Sequence, residues 1–177
     1  KISHGYRTLA DWTWSIMSEK ELMYLRPAEY ADAMLLFQWR NDRETRANSL
    51  HGEKIVYKDH ARWLKSVLGT EKAKYFYILM VNNMPTGQIG LSIDQETALI
   101  SYSIDARFRA RGYGRLILQM MEDKLGEENE HLHLVGYVKK ENIASRRAFI
   151  ALKYTECSEN DLLRYEKRIG IAGRPRE

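Results

Sequence analysis

The chain has 177 residues, 44% apolar and 29% charged, with a net charge of +4; that is enough for one domain with its own core and too polar for a fibrous or membrane-embedded protein. No apolar run approaches the roughly 20 residues of a bilayer span, and residues 1–20 lack the apolar stretch of a secretory leader. Cys157 is the only cysteine, which excludes an internal disulfide and leads us to expect a reducing, cytoplasmic setting.

In chain order, residues 1–20 read as a preface, with Leu9, Thr13, Ile16 and Met17 on one face of a short helix. The piece is too small to fold alone. Because the chain opens on Lys1 rather than Met, we expect it to be the tail of a fused upstream domain or a flap on the domain at 21–169. Leu22–Arg26 reads as a strand and Pro27 as the opening of a helix through Tyr30, Ala33, Met34 and Phe37, ending near Asn41-Asp42. His60, Trp63, Leu64, Val67 and Leu68 recur at helical spacing in a second helix that Gly69 stops. Tyr75–Val81 reads as a buried strand. Asn82-Asn83-Met84-Pro85 reads as a turn, and Gln88–Ile93 and Leu99–Ile104 as strands after it. A helix over Tyr113–Leu125, with Leu116, Ile117, Met120 and Met121 inward, leads to a strand at His131–Val138. A helix at Ile143–Leu152 and a hairpin of Tyr154–Glu156 and Leu162–Glu166 close the domain; residues 170–177 read as a tail. The order β-α-α-β-β-β-α-β-α-β-β predicts an α/β (α+β) domain with one mixed, mostly antiparallel sheet.

The chemistry concentrates at Ile104-Asp105-Ala106-Arg107-Phe108-Arg109-Ala110-Arg111-Gly112-Tyr113-Gly114-Arg115. A strand ends, a basic loop with two glycines follows, and a helix begins at once. The loop amides and the first amides of the helix converge on one spot, an anion site by geometry and dipole. The nucleotide-binding spacings G-x-x-x-x-G-K-[ST] and G-x-G-x-x-G are both missing. Arg109-x-x-Gly112-x-Gly114 instead resembles the pyrophosphate loop, [QR]-x-x-G-x-[GA], of the GNAT N-acetyltransferases. Asn142-x-x-Ser145-x-x-Ala148-Phe149-x-x-Leu152-Lys153-Tyr154 resembles that family's downstream helix. The resemblance runs from about Leu22 to Lys167 in element order. It implies a GNAT fold whose central strands splay apart to admit acetyl-CoA, with no metal. It also implies that Tyr102, Ser103 and Ile104 lend backbone groups to the pantetheine arm, that residues 109–115 (Arg109, Ala110, Arg111, Gly112, Tyr113, Gly114, Arg115) seat the diphosphate, that Asn142 hydrogen-bonds the arm, and that Ser145 and Phe149 lie alongside.

The family's reaction is direct transfer, in which a neutral amine attacks the thioester, a base takes its proton and an acid protonates the thiolate. Many members carry Glu where this chain has Leu99, and Tyr where it has Phe149, so neither residue carries over. Ser101, Tyr102 and Tyr137 are the remaining candidates, with a water chain as an alternative base. Phe37-Gln38-Trp39-Arg40-Asn41-Asp42 with Arg46-x-Asn48-Ser49, and Ile55-x-Tyr57-x-x-His60-x-x-Trp63-Leu64, resemble the acetyltransferases of pseudaminic-acid-type pathways, which act on the 4-amine of a UDP-linked amino sugar. That likeness makes Arg40, Asn48 and His60 candidate acceptor contacts. His60, Trp39 and Trp63 also have an ordinary reading as core residues. His131 and His133 share a strand face without a Cys or acidic partner at ligand spacing, which favours a structural reading over a metal. A protein N-terminus, a polyamine and an antibiotic stand as alternative acceptors, and a non-catalytic acyl-CoA-binding module as an alternative class. A nucleic-acid binder is disfavoured because the arginines gather at a glycine loop rather than along a stripe with stacking aromatics. No membrane partner is expected, and a homodimer is compatible with the sequence.

Overall fold

A computed structural model describes residues 21–70, 73–128 and 130–170; the helix expected in residues 1–20 lies outside them, as do residues 171–177. Seven strands form one sheet in the order β1-β2-β3-β4-β5-β7-β6: β1 (Met23–Pro27), β2 (Phe76–Val81), β3 (Met84–Asp94), β4 (Thr97–Ile104), β5 (His133–Lys139), β6 (Thr155–Glu159) and β7 (Leu162–Arg168). Every neighbouring pair is antiparallel except β4 and β5. That pair is parallel because α4 (Tyr113–Glu127) carries the chain back between them. The expected mixed α/β sheet flanked by helices is present.

Pro27 closes the edge strand β1 instead of opening a helix, opposite Tyr77, a position where a missing N–H costs nothing. Helical structure starts at a 3-10 turn, Tyr30–Asp32, where Asp32 accepts from the Glu29 N–H and from Arg26. It continues as α1 (Ala33–Asn41). A short helix the sequence reading lacked, α2 (Arg43–Asn48), follows at once, capped by Asp42 accepting from the Thr45 N–H. α3 spans Tyr57–Leu68. The turn after β2 is only Asn82-Asn83, both at positive φ (49° and 61°), the two-residue geometry that matches strand twist. β3 therefore begins at Met84, and Pro85 sits where the register with β2 shifts, at Leu79/Met80.

Alternation along the strands divides the core. Tyr77, Leu79, Ile89, Leu91, Ile100, Leu134, Leu163 and Tyr165 face α4 and α5 (Ile143–Ala151), packing on Ile117, Leu118, Met121 and Phe149. Phe76, Ile78 and Met80 face the other way, against Ala33, Leu36, Trp39 and Leu64 of α1 and α3. The α1–α3 cover stops at β1–β3. On that second face Leu99 is 40% exposed and Ser101 is exposed, so the sheet from β4 onward presents polar groups on a face without a packed helix.

Candidate active site

β4 and β5 pair at only three positions, Thr97–His133, Ala98–Leu134 and Leu99–Val135, and then part. The His133 N–H donates to the Glu96 carbonyl at 2.7 Å and the Asp105 N–H to the Thr86 carbonyl at 2.9 Å. With the two-residue strand period, this phase turns the main-chain groups of Tyr102 and Ile104 toward the gap and those of Ser103 toward Gln88 on β3. The expectation that Ser103 lends backbone groups to the gap is thus corrected: its N–H and C=O belong to the β3–β4 ladder. The Ile104 carbonyl already accepts from Arg109 Nε at 3.2 Å.

The loop after β4 opens with Asp105, whose carboxylate takes the Arg107 side chain and N–H (2.8–3.0 Å) and the Trp39 indole N–H (2.7 Å). Arg107, against the opposing effect of burial and with help from Trp39, holds the carboxyl down at about 2. From there the backbone enters the left-handed region at Ala110 (φ 60°) and Gly112 (φ 84°) before α4 begins. Among the described residues no acceptor pairs with the N–H groups of residues 109–115; the first backbone bond of α4 is Leu116 N–H to the Gly112 carbonyl. A Cβ placed on Gly112 would meet no atom within 4 Å, and one on Gly114 would touch the Tyr102 ring at 3.5 Å. The loop therefore offers a run of unspent donors at a helix N-terminus with open space before them, which is what a diphosphate requires.

The side chains divide differently from the expectation. The Arg109 guanidinium is not free for phosphate: it is bound by Asp42, by Thr45 Oγ1 at 3.1 Å and by Glu44 at 3.0 Å, and so ties the loop to α2. Burial pushes the Asp42 carboxyl up, but the Thr45 N–H and Arg109 outweigh it and leave it below the usual range. Tyr113 is buried against Phe108, its hydroxyl 3.3 Å from Glu21, so only its N–H faces the anion spot. Arg111 and Arg115 are exposed, with the Arg111 guanidinium 5.6 Å from the Phe108 ring.

Tyr102 points to the α4/α5 side, where its hydroxyl donates to Ser145 Oγ at 2.9 Å; burial, partly offset by that bond, pushes its pKa up to about 12. Asn142 caps α5 by accepting the Ser145 N–H at 3.1 Å, leaving its amide N–H groups as donors. Phe149 is corrected from a gap-lining to a core residue: it is 2% exposed, stacked on Tyr165 at 5.0 Å and lodged under Gly136. Strand alternation puts Ser101 and Tyr137 together on the uncovered face, opposite to Tyr102. The candidate proton carriers are thus split between the two sides of the sheet.

Of the acceptor candidates, His60 is 6% exposed, flanked by Phe37 and Trp63 rings. Burial, then the nearby Arg40 charge, pulls its pKa below that of an ordinary histidine. Arg40 donates to the His51 carbonyl, while Asn41 holds Ile55 through both its amide atoms. Arg40 thus braces the loop between α2 and α3 through His51, while His60 packs between α1 and α3 with its Nε2 unpaired among the described residues. Asn48 ends α2 beside Ala47, whose carbonyl accepts from Lys139 Nζ at 2.7 Å. α2 is therefore fastened to both walls of the gap, by Arg109 on one side and Lys139 on the other. No helix among the described residues is long and apolar enough to cross a membrane, and none of their His, Cys, Asp and Glu side chains form a group of three fit to hold a metal ion.

The acetyltransferase (GNAT) domain family matches residues 23–155. RimL, the ribosomal L7/L12 alpha-N-protein acetyltransferase solved with coenzyme A, superposes with a TM-score of 0.72 at 16% identity, over 84% of this chain and 94% of that one. YncA from Salmonella typhimurium, solved with its cofactor acetyl-CoA, gives 0.65 at 18% identity, over 87% and 98%. The ribosomal-protein-alanine N-acetyltransferase of Brucella melitensis gives 0.64 at 18%, over 82% and 99%. At these identities the likeness is one of fold. Among curated proteins none matches this sequence.

Proposed function

Because the chain belongs to the GNAT acetyltransferase family and is an acetyl-CoA-dependent N-acetyltransferase, we propose that it acetylates an amine on an anionic small molecule, the 4-amine of a UDP-linked amino sugar. The observation that carries the cofactor side is the row of amides over residues 109–115 that have no partner among the described residues, beside a gap with unpaired strand edges. In this reading those amides seat the diphosphate, the main-chain groups of Tyr102 and Ile104 pair with the amides of the pantetheine arm, and the Asn142 amide adds a donor from α5. Tyr102 and Ser145, locked to each other beside Gly114, hold the two helix N-termini at a fixed separation. The thioester then lies where β4 and β5 part, with the acceptor on the uncovered face beneath α2.

Register places Lys139, Arg164 and Arg168 on that face with Glu166, Glu159 and Asp94 beside them, three cations to three carboxylates; Lys139, whose Nζ reaches the Ala47 carbonyl of α2, is the cation at the wide end of the gap. In this reading Tyr137, on the same face at the widening of the gap, protonates the departing thiolate, and Ser101 hydrogen-bonds the amine. A protein α-amine is a second reading, favoured by the likeness in fold to RimL and to the ribosomal-protein-alanine enzyme. Thiol release with acetyl-CoA and a panel of a UDP-linked 4-amino sugar, spermidine and unblocked peptides decides between them. Turnover of the sugar nucleotide at least tenfold faster than of the peptides is expected; the reverse order overturns the sugar reading, and acetyl-CoA binding with no turnover of any amine points to an acyl-CoA-binding module.

A further inference from the structure

We propose that the imidazole of His133, held by Glu166, takes the proton from the acceptor amine. The inference rests on the acetyl-transfer reading of the same site. On the uncovered face β4 contributes Thr97, Leu99, Ser101 and Ser103, none of which is a base at neutral pH. On that face the other groups able to take a proton are Asp94 of β3, opposite Thr97, and the residues of β5 across the gap. β5 presents His133, Val135, Tyr137 and Lys139 on that face, because Leu134 and Val138 point into the α4/α5 core. Among these His133 alone is a base of suitable strength near pH 7. It sits opposite Thr97, two residues before the last paired position, Leu99–Val135. That is roughly 7 Å along the strand from the point where the gap opens, a distance that a bridging water spans.

The surroundings suit the role. His133 Nε2 lies 3.2 Å from Glu166 Oε2, with side chains 23% and 26% exposed, so the pair is neither sealed from substrate nor fully solvated. A carboxylate on Nε2 fixes the tautomer that donates there and leaves the Nδ1 lone pair to accept a proton. It also stabilises the imidazolium once formed. Arg164 lies 3.4 Å from the same Glu166 oxygen, Arg168 stands across the register from His133, and Asp94 of β3 shares the row beyond Thr97. Cys157 Sγ lies 4.0 Å from Glu166 Oε1, and Thr97, facing from β4, carries no charge. The step balances: the amine nitrogen forms its bond to the acetyl carbon as the carbon–sulfur bond breaks. The nitrogen's proton passes to Nδ1, and the thiolate takes a proton from Tyr137, which recovers it from the imidazolium through solvent. His133 is the catalytic residue here and Glu166 a positioning residue.

The test is kcat and kcat/KM against pH for the whole chain, with acetyl-CoA and whichever of the UDP-linked 4-amino sugar or a seryl peptide the wild type turns over. His133→Gln should lower kcat about 100-fold, abolish the acid limb of the profile and leave the acetyl-CoA Kd within twofold. His133→Ala should regain activity on addition of free imidazole, and Glu166→Gln should move the acid limb to lower pH with a smaller loss of rate. Thermal melts of each variant separate loss of fold from loss of chemistry, and His133→Asn serves if the glutamine does not fold. A folded His133→Gln with wild-type rate and an unchanged acid limb overturns the assignment while leaving the acetyltransferase reading intact. A wild type that neither binds nor consumes acetyl-CoA overturns both.

Discussion

Gly112 offers the sharpest separation between a binding loop and an ordinary turn. Its φ of 84° lies in the region that L side chains avoid, yet a Cβ there meets nothing within 4 Å. Substitution thus costs backbone strain alone, about 1–2 kcal/mol, and in a domain of this size shifts Tm by roughly 2–8 °C. The ligand sees more. Gly112→Ala places a methyl group before the row of free amides, and a loss of about 10- to 100-fold in acetyl-CoA affinity, about 1.4–2.8 kcal/mol, is expected. Gly112→Glu adds a carboxylate near the diphosphate. One unit-charge pair at about 4 Å in a medium of effective dielectric 20 repels by about 4 kcal/mol, which with lost donors brings affinity down at least 1,000-fold. Isothermal titration with acetyl-CoA, alongside a thermal melt, reads both quantities. A folded Gly112→Glu protein that binds acetyl-CoA within threefold of wild type refutes the assignment of the loop.

Tyr102→Phe removes only the 2.9 Å bond to Ser145 on the side away from the acceptor; kcat should fall less than threefold while the acetyl-CoA KM rises a few-fold. Tyr137→Phe should instead lower kcat at least tenfold at unchanged acetyl-CoA affinity, as read from initial rates. Asp105 is depressed to about 2 from its usual 3.8, chiefly by Arg107. A carboxyl lowered in the fold stabilises fully above its unfolded pKa and loses that contribution as pH falls through its folded pKa. Urea melts should therefore show about 1–2 kcal/mol, discounted for the exposure of Arg107, draining away between about pH 4 and pH 2, and Asp105→Asn should flatten that segment. Gly136→Ala forces a methyl group to within 2.5 Å of the Phe149 Cζ; a loss of about 1–3 kcal/mol is expected from overpacking, seen as a lower Tm, whereas the same change at Gly126, where nothing lies within 4 Å, should not destabilise.

Local signals explain why much of the architecture was legible. The strands alternate or run apolar, Gly112 and Gly114 stand between a strand and a helix, and Asn82-Asn83 makes a two-residue turn. Element ends moved where capping decided them: Asp42 both ends α1 and starts α2 by taking the Thr45 N–H. The Asp42-x-x-Thr45 spacing with Glu44 in the first turn was an available sign of that start. The apolar face of α3 was read too broadly, since His60 and Leu64 are buried while Trp63 is 49% exposed. Spacing along one helix reports which residues share a face, not how wide a neighbour covers it.

The sequence by itself determined the periodicities of the elements and a two-glycine loop between a strand and a helix, and the likeness of that loop to the GNAT pattern carried the acetyl-CoA reading, because such motifs depend on residues near one another in the chain. Only the tertiary structure decided what the charged side chains do. Arg109 meets Asp42 and Glu44 across more than sixty positions, Lys139 reaches Ala47 across ninety-two, and His133 finds Glu166 on a strand far along the chain. Such pairs form because hydrogen bonds and ion pairs act over a few ångströms, and sheet register together with the seating of α2 sets which distant residues come that close.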